Sequence, residues 1–257
     1  MMPALFIGHG SPMNAIADNS YTKMLNGLGK KFTRPKFILV VSAHWLTNGT
    51  FITAMKKPET IHDFGGFPRE LFEVQYPAPG SPSVATLVQE ALGVESRVQL
   101  EESKWGLDHG TWSVLRHLYP KADIPVLQLS INRNMTLQEH LELGIKLQKV
   151  RQLEGLIVGS GDIVHNLRAI KWEEDAKPFE WALEFDKLVQ EKIKERDFNF
   201  LVNEFLDTEA GRLSVPTLDH YIPLLYVLGA STDEDELFFE YEEIQNGSIS
   251  MTSFRYE

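Results

Sequence analysis

The stretch Phe37-Ile38-Leu39-Val40-Val41-Ser42-Ala43 carries apolar or small side chains at odd and even positions alike. A strand points successive side chains to opposite faces of its sheet, so such a run escapes water only where both faces are covered. Ala4-Leu5-Phe6-Ile7-Gly8, Ile124 to Ile131 and Gly155 to Gly159 are further strand-like runs. Between them lie segments of helical period. Asn14 to Leu28 is one, and Ser83 to Leu92, opened by Ser-Pro-Ser and closed by Gly93, is another. Thr136 to Val150 begins with Thr136 as N-cap and Glu139 three residues on, a capping box. Pro178 to Arg196 starts with a proline near its first turn, and His220 to Leu228 ends at Gly229. This alternation predicts an α/β fold with a central, mixed, mostly parallel sheet and helices on both faces.

The end of the chain reads differently. Leu237 to Gln245 and Ser248 to Tyr256 are strand-like and separated by Asn246-Gly247, which predicts a C-terminal antiparallel hairpin. No internal repeat, low-complexity tract or polar linker interrupts the 257 residues, so a single catalytic domain over 1–257 is expected. The segment from Thr60 to Ser83 is irregular and rich in Gly and Pro. It reads either as a cover over a pocket or as a surface excursion.

Composition removes several classes of function. Twenty-five Lys and Arg against 36 Asp and Glu give a net charge of −11, which argues against nucleic acid or an anionic membrane surface as partner. With no cysteine there is no disulfide, no thiolate metal site and no Cys nucleophile, so any metal takes nitrogen and oxygen ligands. The N-terminus lacks the basic region and apolar core of a signal peptide, and no apolar run approaches the roughly 20 residues needed to span a bilayer. A cytoplasmic protein is expected. The subunit count is not legible.

Three histidines sit just beyond strand-like runs, where an open α/β sheet builds its sites. His9 follows the first run and lies between Gly8 and Gly10, which let the backbone turn sharply. His44 continues the doubly apolar run, where a buried imidazole must be paired with a structural partner or a metal. His165 comes shortly after Gly159-Ser160-Gly161-Asp162, a loop that is neither a Walker A nor a G-x-G-x-x-G motif. Asp162 itself reads as a helix cap or as a carboxylate orienting a ligand, with capping the simpler reading. His220, after Asp219, opens an apolar helix and supplies a further ligand if it faces the site. His109 opens another helix, where an imidazole with an ordinary pKa of about 6.5 suits general acid/base work. Several neutral imidazoles meeting at one point suggest a divalent transition metal. His62 belongs to the irregular segment, and His117 and His140 fall in helical patterns as structural or surface residues. Ser11 and Ser160 keep a serine esterase or amidase open.

Five segments in register, Gly8-His9-Gly10-Ser11-Pro12, Ser42-Ala43-His44-Trp45, His62-Asp63-Phe64-Gly65-Gly66-Phe67-Pro68, Leu107-Asp108-His109-Gly110-Thr111-Trp112 and Gly159-Ser160-Gly161-Asp162-Ile163-Val164-His165-Asn166-Leu167, resemble the 4,5-DOPA extradiol dioxygenase family of class III (LigB-type) ring-cleaving enzymes. The similarity runs from the first strand to His220. It implies a single α/β domain with one Zn(2+) or Fe(2+) per chain at one end of the sheet. By match to the family, His9, His44 and His220 are ligands, His165 is a further ligand or a close acid/base, and His109 is a catalytic histidine. Related extradiol enzymes use two His and one carboxylate, whereas no Glu here occupies an evident ligand position.

The implied reaction takes a small catechol such as L-DOPA and O2 to a hydroxymuconic semialdehyde. His109 or His165 removes the second catechol proton and later returns one as the O–O bond breaks. Trp45 and Phe67 are candidates to flank the ring. The rival readings are a zinc-dependent hydrolase built on the same histidines and a non-catalytic relative of the fold.

Overall fold

The strands of the computed structural model, which describes residues 1–173 and 176–257, are in chain order β1 (Ala4–Gly8), β2 (Phe37–Thr47), β3 (Thr50–Thr53), β4 (Val98–Glu101), β5 (Val126–Asn132), β6 (Gly155–Gly161), β7 (Leu237–Tyr241), β8 (Ile244–Gln245), β9 (Ile249–Ser250) and β10 (Ser253–Tyr256). Eight pair into one sheet in the order β4-β3-β5-β2-β6-β1-β10-β7. The pairs β1–β6, β2–β5, β2–β6 and β3–β4 are parallel, and β10 joins β1 and β7 antiparallel. The helices are α1 (Ser20–Leu28), α2 (Arg69–Phe72), α3 (Pro82–Leu92), α4 (His109–Leu118), α5 (Leu137–Lys146), α6 (Gln148–Gln152), α7 (Glu180–Glu195), α8 (Glu209–Ser214) and α9 (Ile222–Ala230).

Both faces of the sheet are covered, as the doubly apolar run requires. Phe37, Leu39 and Val41 pack into one core with residues of α5, α7 and α9, while Ile38 and Val40 pack into the other with α1 and α4. Each of these fully buried side chains contributes about 1.5–3 kcal/mol relative to exposure. The α9 stretch is apolar all round and buried throughout, so no solvent face is expected of it.

Local chemistry set the boundaries. The capping box at Thr136 and Glu139 is present, and Ser81 caps α3. The expected helix from Asn14 to Leu28 is instead a short 3-10 turn over Pro12–Ala15 followed by α1. Asn19 accepts the Thr22 N–H and Thr22 reciprocates, so a new helix starts there despite the continuing apolar period. The hairpin forms between β8 and β9, with Asn246 and Gly247 both at positive φ (52° and 76°), the conformation that favours Asn-Gly.

Strands β2 and β6 run past their expected ends to Thr47 and Gly161, and β3 and β4 had no clear signal in the sequence. The parallel register between β2 and β5 shifts between Val41 and Leu46, so β2 bulges across the segment holding His44. Bulges of this kind re-aim a side chain beside a site.

Candidate metal centre

Strands β2, β6 and β1 are neighbours, so their carboxyl ends bring His44, the Ser160–Asp162 segment and His9 to one edge of the sheet. His109, the first residue of α4, and His220, just before α9, approach from opposite faces. His220 gets there because β6 lets it. A Cβ on Gly161 would stand 2.2 Å from the His220 carbonyl oxygen, which accepts the Asp162 N–H at 2.9 Å. Gly10 turns the chain after His9 with φ +60°. His9, His44, His109, His165 and His220 all line one cavity of about 280 Å³, together with Phe64 and Phe67.

The hydrogen bonds fix where the ring protons lie. Ser160 Oγ donates to the Gly110 carbonyl at 2.6 Å, so it accepts from His9 Nδ1 at 3.0 Å. Asp63 accepts the His109 backbone N–H at 2.9 Å and His109 Nδ1–H at 3.0 Å, and its Oδ2 lies 3.4 Å from His44 Nδ1. Burial pushes the Asp63 carboxyl up, but the His109 bonds outweigh it and hold it below the usual range. Asp219 Oδ2 accepts from His220 Nδ1 at 2.5 Å, and the same balance holds Asp219 low. His9, His109 and His220 therefore carry their proton on Nδ1, leaving their Nε2 lone pairs free, whereas His44 Nδ1 makes no hydrogen bond.

The His9 Nε2 lone pair faces His44 Nε2 at 3.1 Å. Two ring nitrogens this close share either a metal ion or the proton of a neutral His44 carried on Nε2. An imidazolium at either ring is disfavoured, because burial and the neighbouring imidazoles hold both well below their ordinary pKa. At metal–nitrogen bonds of about 2.0–2.1 Å, that separation corresponds to an angle of roughly 98° at a shared ion, close to ligand geometry.

Two histidines compete for the third position. One donor atom each from His9, His44 and His109 lies within 4.8 Å of the others, as do His9, Asp162 and His220, and His165, Asp219 and His220. Ring geometry separates them. The centroids of His9, His44 and His220 form a triangle of 5.0, 5.3 and 5.0 Å. With centroids about 3.2 Å from a bound ion these sides subtend roughly 100–110°, whereas the 3.9 Å between His44 and His109 subtends only about 75°. An ion needs the rings to diverge as well as the donors to be near, and His9, His44 and His220 diverge, although that trio is not among the sets with donors within 4.8 Å. His165 stacks flat on His220 at 3.5 Å and 6°, about 66° on the same measure, which suits a neighbour better than a co-ligand. Burial and His220, opposed by Asp219, push its pKa down to about 3.

Asp162 does not cap a helix. It sits in a loop, where Oδ1 accepts the Gly10 N–H at 3.0 Å. Oδ2, without a hydrogen-bond partner among the described residues, lies 3.6 Å from His9 Nε2. Burial pushes its pKa well up. Trp45 stacks on Trp105 at 5.6 Å, outside the cavity lining, so it does not flank a substrate there. The irregular 60–83 segment contributes Asp63, Phe64 and Phe67 to the site. His62 turns its Nε2 to the Val74 carbonyl. His117 bonds the Asn14 carbonyl, and His140 is buried against the Tyr226 hydroxyl. Ser160 gives its proton to a carbonyl, so it does not donate to an imidazole base, and Ser11 Oγ accepts the Met13 N–H with no imidazole among its hydrogen-bond partners. Asp63 and Asp219 hold site histidines by their ring protons, a role the sequence alone did not give them, although Asp219 adjoins His220, and Ser160, a candidate nucleophile in the sequence, holds His9 instead.

No helix among the described residues is long and apolar enough to cross a membrane. The model of the family described as the catalytic LigB subunit of aromatic ring-opening dioxygenase matches residues 3–251. An Escherichia coli (strain K12) protein named 4,5-DOPA dioxygenase extradiol is 49% identical over 255 residues, covering 98% of this chain and 93% of its own. A Beta vulgaris protein of the same name is 34% identical over 257 residues, with 98% and 95% covered. A crystal structure of an uncharacterized protein from Escherichia coli K12 superposes with a TM-score of 0.87 at 43% identity, covering all of both chains.

Proposed function

The chain belongs to the LigB family of aromatic ring-opening dioxygenases, as an extradiol enzyme, and from that premise we propose that it cleaves a small catechol with O2 at a metal held by His9, His44 and His220. The observation that carries this reading is the pair of Nε2 atoms 3.1 Å apart, with His220 completing the ring triangle over an aromatic-walled cavity. A nitrogen-only donor set with no thiolate suits Fe(II) or Zn(II), and Fe(II) is the one that supports oxygen chemistry. When bound, that ion supplies a Lewis-acidic point where catechol oxygens and O2 meet.

The chain's own groups handle the protons. His109 is backed by Asp63, whose carboxylate holds Nδ1–H and aims Nε2 at the cavity. It accepts a catechol hydroxyl proton at Nε2 and returns it as the ring opens, with Asp63 stabilising the intervening imidazolium. His165, neutral at physiological pH, stands on the other side of His220 as a second acceptor. Phe64 and Phe67 wall the cavity and exclude water from the reacting ring.

The test is O2 uptake with L-DOPA, the substrate in the relatives' name, after anaerobic Fe(II) loading. A zinc-loaded control and a simultaneous visible spectrum accompany it. Stoichiometric uptake with a new yellow chromophore in the iron sample alone is expected. Hydrolysis of an ester or amide without O2 dependence would instead place the protein among zinc hydrolases.

A further inference from the structure

Asp162, the residue after β6, buries a carboxylate beside the histidines and leaves half of it unused. Oδ1 accepts the Gly10 N–H at 3.0 Å, a bond that ties the turn after His9 to the end of β6. Oδ2 is sealed from solvent and has no hydrogen-bond partner among the described residues. Buried charges are ordinarily paired or coordinate metals, and a bare buried polar atom asks for an explanation. The atom facing Oδ2 is His9 Nε2 at 3.6 Å, beyond hydrogen-bond reach. That nitrogen presents a lone pair, because the His9 proton sits on Nδ1 against Ser160. Two electron-rich atoms therefore confront each other in a dry site with no hydrogen bond between them, and a cation would join them. One donor atom each from His9, Asp162 and His220 lies within 4.8 Å of the others. At metal bonds of about 2.0–2.1 Å to nitrogen and about 2.0–2.2 Å to oxygen, the 3.6 Å separation subtends roughly 120° at a shared ion, an ordinary ligand angle. Asp63 and Asp219, by contrast, hold the Nδ1 sides of His109 and His220.

We propose that Asp162 Oδ2 is a further metal ligand, an anionic oxygen beside the imidazoles of His9 and His220. The proposal rests on the metal-site reading above and adds to its nitrogen donors the charge they lack. Imidazoles bind a metal as neutral rings, so without Asp162 the ion would keep its full double charge away from water. The carboxylate offsets half of that charge, and its hard oxygen suits Fe(II) in a mixed nitrogen–oxygen set. The energetics then have a definite sign. The metal-free chain carries an unpartnered buried acid and the ion relieves it, so Asp162 favours binding and not the bare fold.

The experiment uses the full chain freed of metal. Asp162→Asn is the first variant, since the amide can keep the Gly10 bond and removes only the charge. Zinc affinity is read by competition with a chromophoric chelator, and the ligand field by the visible spectrum of the Co(II)-loaded chain. Urea unfolding without metal reports stability. We expect zinc affinity to fall about 100-fold or more, at or beyond the upper end for losing a ligand's outer hydrogen bond. The Co(II) spectrum should change, while the urea midpoint holds or rises, because an amide is cheaper to bury than a carboxylate. Asp162→Glu, which returns the charge from one methylene further out, should regain part of the affinity. Wild-type zinc affinity in Asp162→Asn overturns the proposal. So does an affinity loss that leaves the Co(II) spectrum unchanged, which would make Asp162 a support of His9 and not a ligand. A metal-free Asp162→Asn chain that unfolds more readily than wild type would show the carboxylate serving the fold, and overturns it as well. The histidine site fails separately, if His44→Ala binds zinc as wild type does. An Asp162-dependent metal in a chain that cleaves no catechol sustains the ligand and sinks the ring-cleavage reading.

Discussion

Ser160 touches no substrate in this reading, yet its removal should weaken metal binding. Its Oγ accepts from His9 Nδ1 at 3.0 Å and donates to the Gly110 carbonyl at 2.6 Å, wholly out of solvent. The second bond fixes the direction of the first, and the first keeps the His9 proton away from Nε2. In Ser160→Ala both bonds go. The ring can then take the opposite tautomer, with its proton directed at His44, or rotate in the space left. Loss of such a supporting bond costs about 10–100-fold in metal affinity, which is about 1.4–2.7 kcal/mol. The metal-free protein loses about 1–3 kcal/mol for an unpaired buried donor. Zinc affinity is measured by competition with a chromophoric chelator, and stability by urea unfolding of the metal-free chain. A variant that loses stability but binds zinc like wild type would refute the proton placement on His9, and with it the lone pair turned toward His44.

Other outcomes follow from the same geometry. His44→Ala should abolish stoichiometric metal binding, whereas His109→Ala should retain the metal and lose turnover by about 100-fold or more, as read by metal analysis beside O2 uptake. Gly161→Ala places a methyl 2.2 Å from the His220 carbonyl. It should cost about 1–3 kcal/mol and displace His220, lowering zinc affinity as well; an unchanged affinity would remove His220 from the ligand set. His140, buried against Tyr226, has its pKa pushed down by burial to about 4. Because the unfolded chain binds the proton first, stability from this group is complete above about pH 6.5 and falls as pH drops toward 4, by about 3 kcal/mol in all. Subtracting the His140→Gln unfolding curve of metal-free protein from that of wild type should expose this component, and parallel curves between pH 7 and 4 would contradict it.

The central strands and most helices were legible because their signals are local, whereas β3 and β4 gave none. A doubly apolar run, a capping box and an Asn-Gly turn act over a few residues, and each appears where expected. The five histidines were legible too, because strand ends and helix starts are where an α/β sheet gathers polar groups, and all five face the same cavity. What could not be read was partnership across the chain. Asp63 and His109 are 46 residues apart, and Ser160 and His9 are 151 apart, so no spacing rule links them. The same gap misassigned Asp162, which faces His9 because β6 lies beside β1, an adjacency that only the sheet order reveals. Trp45 fell to the bulge in β2, where alternation no longer tells which side a residue faces.

The strand order has a consequence for how the enzyme comes into being. The first strand is flanked by β6 and by the last, so both neighbours of the segment bearing His9 are made late. At about 5–20 residues per second, roughly 10–40 s of synthesis separate His9 from His220. On the proposed ligand set, a ribosome-bound chain holds at most two of the three histidine ligands, His9 and His44, through that interval. Loss of the final few residues, far in sequence from every histidine, would strip β10 from the first strand and unsettle His9 at its end.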